Sequence, residues 1–131
     1  MSILVTGSAG FIGYHLTKKI LKKNVDVIGI DNINNYYDIN LKKNRILDLK
    51  KNKKFFFYKI DLCDYIKLNN IIKKKKIKII IHLAAQAGVR YSIKKPRSYF
   101  KSNLEGFFNI LEISRHNEIK HLIYASTSSV Y

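Results

Sequence analysis

The chain has one cysteine, one proline and no tryptophan among its 131 residues. A lone thiol, Cys63, excludes a disulfide framework and makes no metal site by itself; its expected role is a buried small side chain. One proline and six glycines leave no room for a linker, a collagen-like tract or a Pro-rich arm, and no internal repeat is visible. Every apolar run falls short of the ~20 residues a membrane helix needs, and the N-terminus enters an apolar strand directly. No membrane partner is expected, and a cytoplasmic location is the default. His15, His82 and His121 have no metal-ligand spacing and read as packing or surface histidines, so no metal is expected.

Acidic residues are scarce, with 9 Asp and Glu against 25 Lys and Arg, a formal charge of +16. Such an excess invites a nucleic-acid partner. The lysines, however, come in pairs and short runs spread over several segments, among them Lys18-Lys19, Lys42-Lys43 and Lys73 to Lys76. They fall on polar faces and helix ends, where cations suit the C-terminal dipole. Arg, the better reader of bases, is rare beside Lys. A solvated surface is the expectation, and no nucleic-acid partner.

What is present is a core. Hydrophobic residues make up 47% of the chain and aromatics 12%, enough for one domain over residues 1–131. Ser2 to Thr6 is a short β-branched run ending at Gly7, a buried strand. Gly10 to Lys23 has helical apolar spacing and stops at Asn24. Val25 to Ile30 is a second strand, ending at Asp31. After the turn-rich stretch from Asn32 to Asp38, Leu41 to Leu49 reads as a helix with its lysines outside. Phe55 to Ile60 is strand three, Asp64 to Lys74 a helix, and Ile77 to Leu83 a strand buried on both faces. A loop runs from Ala84 to Lys95. Pro96 then starts a helix with Phe100, Leu104, Phe107, Phe108 and Leu111 on one side, ending near Asn117. His121 to Ala125 is strand five. This alternation predicts an α/β fold: a Rossmann-type doubly wound parallel sheet in the order 3-2-1-4-5, with a crevice at the carboxyl ends of the strands.

The candidate site residues lie at those ends. In Thr6-Gly-Ser-Ala-Gly-Phe-Ile-Gly13, Gly7 permits a tight strand exit, Gly10 a close approach of pyrophosphate, and Gly13 close packing of helix on strand. The helix start at Phe11 and Ile12 offers backbone N–H groups to phosphates. Three glycines alone are a weak signal; between a strand and a helix, with Asp31 ending strand two, they point to a dinucleotide. Asp31 is placed to accept hydrogen bonds from ribose hydroxyls while repelling a 2′-phosphate, which favours NAD over NADP; its alternative is a turn cap. Asn32 and Asn35 add contacts near the ribose. Asp61 and Leu62 flank the adenine, with helix capping by Asp61 or Asp64 the competing role. The small residues after Leu83, Ala84 and Ala85, leave space beside the sheet for the nicotinamide ribose, or else for helix packing. Asn103 is either a polar anchor near the cofactor or a helix-surface residue.

Together these residues resemble the extended short-chain dehydrogenase/reductase family. Thr6 to Gly13 matches its T-G-x-x-G-F-I-G fingerprint, and His121 to Tyr131 its fifth-strand motif ending in S-x-V-Y. Two segments are similar to UDP-glucuronate 4-epimerases: Asp31-Asn-Ile-Asn-Asn-Tyr-Tyr-Asp38 followed by Leu41-Lys-Lys-Asn-Arg45, and His82-Leu-Ala-Ala-Gln-Ala-Gly-Val-Arg-Tyr-Ser92 continuing to Pro96. The resemblance implies inversion of C4 in a UDP-linked hexuronic acid: NAD takes hydride from C4 as a base removes the hydroxyl proton, the keto sugar turns, and hydride returns to its other face. A UDP-glucose 4-epimerase, another nucleotide-sugar enzyme of the family, or a non-catalytic NAD-binding module are the alternatives.

By the same resemblance Thr127 is the catalytic hydroxyl that bonds the C4 oxygen. Ser128 and Ser129 stand where dehydratases carry acids, which argues against dehydration; they face the sugar or serve as turn formers. Gln86 and Arg90 belong to the substrate side, a surface ion pair being the alternative for Arg90. The UDP-sugar is the implied partner, and the full-length form is expected to be a homodimer. The family's Tyr-x-x-x-Lys pair is expected after Tyr131. Tyr14 and Lys18 have that spacing but lie in the cofactor helix. The expectation is therefore a truncated sheet that binds NAD without turnover on its own, with strand five an unprotected edge.

Overall fold

The structure, a computed structural model, describes residues 2–127 together with Ser129. Five strands, β1 (Ser2–Thr6), β2 (Asp26–Asp31), β3 (Phe55–Lys59), β4 (Ile79–His82) and β5 (His121–Tyr124), form one parallel sheet in the order β3-β2-β1-β4-β5. The order and the parallel sense are those the alternation of strand and helix predicts.

Period-two alternation sorts the strand side chains into two cores. Leu4, Ile28, Ile30 and Ile80 point to one face, where α3 (Tyr65–Lys74) supplies Leu68 and Ile72 and α6 (Gly106–His116) supplies Ile110 and Ile113. Val5, Val27 and Ile81 point to the other, against Leu21 of α1 (Phe11–Leu21) and Ile46 and Leu49 of α2 (Ile39–Lys50). Helices on both faces bury Leu4, Val5 and Thr6 of β1 completely, and the apolar run reflects that. Asn24 ends the first helical segment in a left-handed conformation, φ 61°, with its N–H on the Leu21 carbonyl.

Four expectations are corrected. The stretch from Ala84 to Lys95 is not all loop: Val89–Lys94 forms a short helix, α4. The helix begun by Pro96 is not uniform, since α5 (Pro96–Tyr99) leads through a π-helical segment, Phe100–Glu105, into α6. Phe100, Leu104, Phe107, Phe108 and Leu111 do not share one side: Phe107 is half-buried against His82, and the other four are exposed. Two contacts set the rotation that turns them outward. Asn109 donates its amide to the Leu62 carbonyl at 2.8 Å, and Phe107 stacks on His82 at 5.4 Å between ring centres.

The fourth correction concerns charge. Lys42, expected on the solvated outside of α2, is only 5% exposed. No helix is long and apolar enough to cross a membrane among the described residues.

Candidate functional site

The carboxyl ends of β1, β2, β3 and β4 open on one cleft, lined by residues including Gly7, Gly10, Asp31, Asn32, Asn34, Lys42, Asp61, Leu62, Leu83, Ala84, Ala85 and Gln86. Strand order creates it. The chain passes from β1 to β2 through α1 over one face and returns from β3 to β4, on the other side of β1, through α3 over the opposite face, so the loops after β1 and β4 diverge.

The glycine turn forms its floor. Gly7 has φ 69°, a left-handed conformation, and the backbone of Ala84 passes so close that a Cβ on Gly7 would lie 2.8 Å from its nitrogen. A Cβ on Gly13 would run into the Gly7 carbonyl, so α1 starts directly against the turn. Gly10 N–H closes the turn on the Gly7 carbonyl at 2.9 Å. No side chain caps the N-terminus of α1. Its first residues, Phe11, Ile12 and Gly13, line a second opening beside the first, where Arg45 also stands. That is an arrangement suited to phosphate.

Asp31 combines a turn cap with a place at the cleft. Its Oδ1 accepts the Ile33 N–H at 2.8 Å, closing the turn, and its Oδ2 accepts the Ala9 N–H of the glycine turn at 3.2 Å. The carboxylate is thereby pinned against the floor of the cleft. Asn32 donates to Asp61 Oδ2 at 3.1 Å and so ties the end of β2 to that of β3. Burial alone would raise the Asp61 carboxyl, but the Cys63 backbone N–H and the Asn32 amide outweigh it and hold it below the usual carboxylate range. Beside it, burial first and Asp61 second push the half-buried Cys63 thiol up to about 12, so it is an inert thiol.

Asn103, in the π-helical segment, accepts the Gln86 N–H at 2.8 Å and donates to the Gln86 carbonyl at 3.0 Å. It grips the loop after β4 rather than sitting on the helix surface. Gln86 itself is 6% exposed. A third cavity, next to this loop, is lined by His82, Gln86, Asn103, Phe107, Tyr124, Ser126 and Thr127 among others, bringing Thr127 and Gln86 together. Ser129 bonds back to Thr127, its N–H donating to Oγ1 at 3.1 Å. Ser128 and Tyr131 lie outside the described residues.

Two residues expected at the site stay apart from these cavities. Asn35 is exposed and lines none of them, whereas its neighbour Asn34 lines the first cleft. Arg90 is exposed on α4, beside Tyr36, Tyr91 and Lys94. Both Tyr-x-x-x-Lys spacings in the chain also fall elsewhere. Tyr14 donates to Asp48 Oδ2 at 2.7 Å, with Lys18 at 2.9 Å from the same oxygen, tying α1 to α2. Tyr91, the first member of a second such pair with Lys95, packs at 4.8 Å on the Tyr36 ring.

Sequence reasoning missed Lys42 and Arg45 as site residues. Lys42 Nζ lies 3.5 Å from Asp31 Oδ1 and donates to Asn34 Oδ1 at 2.9 Å. Arg45 Nη1 donates to the Ala9 carbonyl at 3.1 Å and to the Tyr37 hydroxyl at 3.3 Å. The available signal was their spacing of three on α2, which sets both on one helix face.

Comparison with known proteins fits this geometry. The chain is 52% identical over 131 residues to Protein CapI of Staphylococcus aureus, covering 100% of the chain and 39% of that relative. It is 45% identical over 128 residues to a UDP-glucuronate 4-epimerase of Thermodesulfobacterium geofontis, covering 98% of the chain and 40% of the relative. Among solved structures, the UDP-glucuronic acid 4-epimerase of Bacillus cereus in complex with UDP-glucuronic acid and NAD superposes with a TM-score of 0.89 at 38% identity, covering 100% of the chain and 41% of the other. The chain thus spans about 40% of the length of the curated relatives it matches. Residues 4–131 match the family model described as GDP-mannose 4,6 dehydratase, and the chain belongs to that family of extended short-chain dehydrogenases/reductases.

Proposed function

We infer that these 131 residues are the NAD-holding part of a UDP-glucuronate 4-epimerase, organised as one domain. The observation that carries this reading is Asp31, pinned at the end of β2 against the glycine turn and lining the cleft. The cleft fits a dinucleotide on its own features: an uncapped helix N-terminus for phosphates, a bare Gly10, and a carboxylate whose oxygens each keep a lone pair for hydroxyl donors. The Bacillus cereus neighbour, crystallised with UDP-glucuronic acid and NAD, supports the choice of ligands.

When bound, NAD supplies reversible oxidation at the sugar C4. The residues of this chain orient and hold. Asp31, with Asn32 beside it, receives the ribose hydroxyls; Asp61 and Leu62 flank the adenine; the first turn of α1, from Phe11 to Gly13, receives the phosphates. Leu83, Ala84 and Ala85 leave room beside the sheet for the nicotinamide ribose, and Asn103 holds that loop through Gln86. Thr127 holds the C4 oxygen, with Gln86 and Ser129 on the substrate side.

Neither Tyr-x-x-x-Lys pair lines the cavity that contains Thr127, so these residues bind without abstracting the C4 hydroxyl proton. Calorimetry of the full chain with NAD tests the binding half, and saturable binding at micromolar concentration is the expected result. A UDP-glucuronate epimerase assay of the same chain tests the other half. Absence of NAD binding would sink the reading, and turnover by the 131 residues alone would overturn the division of labour.

A further inference from the structure

Lys42 is a buried ammonium in a chain with lysine to spare on its surface. Its side chain is 7% exposed, as is that of Asp31, and the two line the same cleft. Burying an ammonium is costly unless it is paired and hydrogen-bonded. Here the pairing is incomplete. Of its three protons one goes to Asn34 Oδ1 at 2.9 Å, while Asp31 Oδ1 at 3.5 Å is an ion-pair partner rather than a close acceptor. The Tyr37 ring, with its centre 5.0 Å away, covers another side. Among the described residues no further hydrogen-bond acceptor is found for Lys42.

Asp31 is differently placed. Its oxygens are held by the Ala9 and Ile33 N–H groups whether or not Lys42 is there. The cleft therefore presents a fixed carboxylate and, beside it, a cation that this carboxylate neutralises. A ribose hydroxyl suits both, donating to one and accepting from the other. A 2′-phosphate suits only the cation and is repelled by the anion.

We propose that Lys42 is a latent receptor for a 2′-phosphate that Asp31 masks, so that the pair, rather than the carboxylate alone, sets the choice between NAD and NADP. This rests on the cofactor reading above and deepens it. Removing the carboxylate charge leaves the ammonium uncompensated and open to the cleft, and a phosphate then becomes its best partner. Removing the ammonium leaves the carboxylate unopposed, which sharpens discrimination against NADP.

Isothermal titration of the full chain with NAD and with NADP tests this in four proteins: wild type, Asp31→Asn, Lys42→Met and the double variant. Asp31→Asn should move the ratio of affinities toward NADP by about tenfold or more, and Lys42→Met should move it toward NAD by about as much. The double variant should lose the gain of Asp31→Asn. An unchanged ratio in either single variant, or a double variant that keeps the gain, overturns the proposal. Should circular dichroism show Asp31→Asn unfolded, Lys42→Met, which leaves Asp31 and its backbone bonds intact, decides alone. Failure of the wild type to bind either dinucleotide removes the cofactor reading itself, a different outcome from NAD binding with unmoved ratios.

Discussion

Thr6 Oγ1 lies 2.8 Å from His82 Nδ1, and the two residues are register partners across the central pair β1–β4. The same hydroxyl accepts the N–H groups of Leu83 and Ala84, each at 3.1 Å. With both lone pairs taken, its proton goes to His82, which must present Nδ1 as an acceptor and carry its own proton on Nε2. One side chain thus fixes the exit of β4, where the loop that lines the cleft begins.

Thr6→Val keeps the shape and removes all three bonds. It leaves two backbone N–H groups without their partner, for an expected loss of about 2–4 kcal/mol. Thr6→Ser should restore most of it. Urea unfolding of the two variants measures the difference; equal stability of Val and Ser forms would deny the hydroxyl this role.

Burial pushes the His82 imidazole down from its ordinary 6.5 to about 4. The folded chain therefore holds fewer protons than the unfolded one between those values, and stability rises with pH across them. The contribution is complete above 6.5 and is lost as the pH falls toward 4, amounting at most to roughly 3 kcal/mol. Melting temperatures from pH 7.5 down to 4 should show this slope. His82→Asn keeps an acceptor for Thr6 without titrating and should flatten it; an identical slope in that variant would assign the effect elsewhere.

The sheet, its order and the glycine turn were legible because each is written in local pattern: β-branched runs, period-two burial, and glycine where a carbonyl or a neighbouring strand leaves no room for Cβ. Asp31 was legible for the same reason, standing one residue past an apolar run. The roles of Lys42 and Arg45 were not. A helical wheel assigns lysine to water, and only the nearby Asp31 carboxylate and Ala9 carbonyl, distant in sequence, make an inward cation tolerable. The separation of Phe107 from the exposed Phe100, Leu104, Phe108 and Leu111 was not legible either. Periodicity reveals that a helix has an apolar side, yet α6 has a second one, and the bonds of Asn109 and the stacking of Phe107 choose between them.

Asn103 makes the π-helical segment consequential, since its amide satisfies both backbone groups of Gln86. Asn103→Ala removes two hydrogen bonds and Asn103→Asp only the donor. Hydrogen exchange at the Gln86 amide should accelerate by about tenfold or more in the Ala variant and by less in Asp. Unchanged exchange at Gln86, with the rest of the sheet still protected, would show that the loop holds itself without this side chain.

Arg45 carries the last prediction. It stands beside the first turn of α1, bonded to the Ala9 carbonyl and the Tyr37 hydroxyl, and lines the opening formed by Gly10 to Gly13. A guanidinium there adds a cation to the helix N-terminus, where negative charge is already favoured. Arg45→Met keeps an unbranched apolar stem and removes the guanidinium, whose Cζ lies 5.9 Å from the centre of the Phe11 ring. Affinity for NAD should fall by about tenfold while affinity for adenosine, which lacks phosphates, stays within about twofold. Equal losses for both ligands would mean that Arg45 acts only by holding the turn, and its charge would then have no part in dinucleotide recognition.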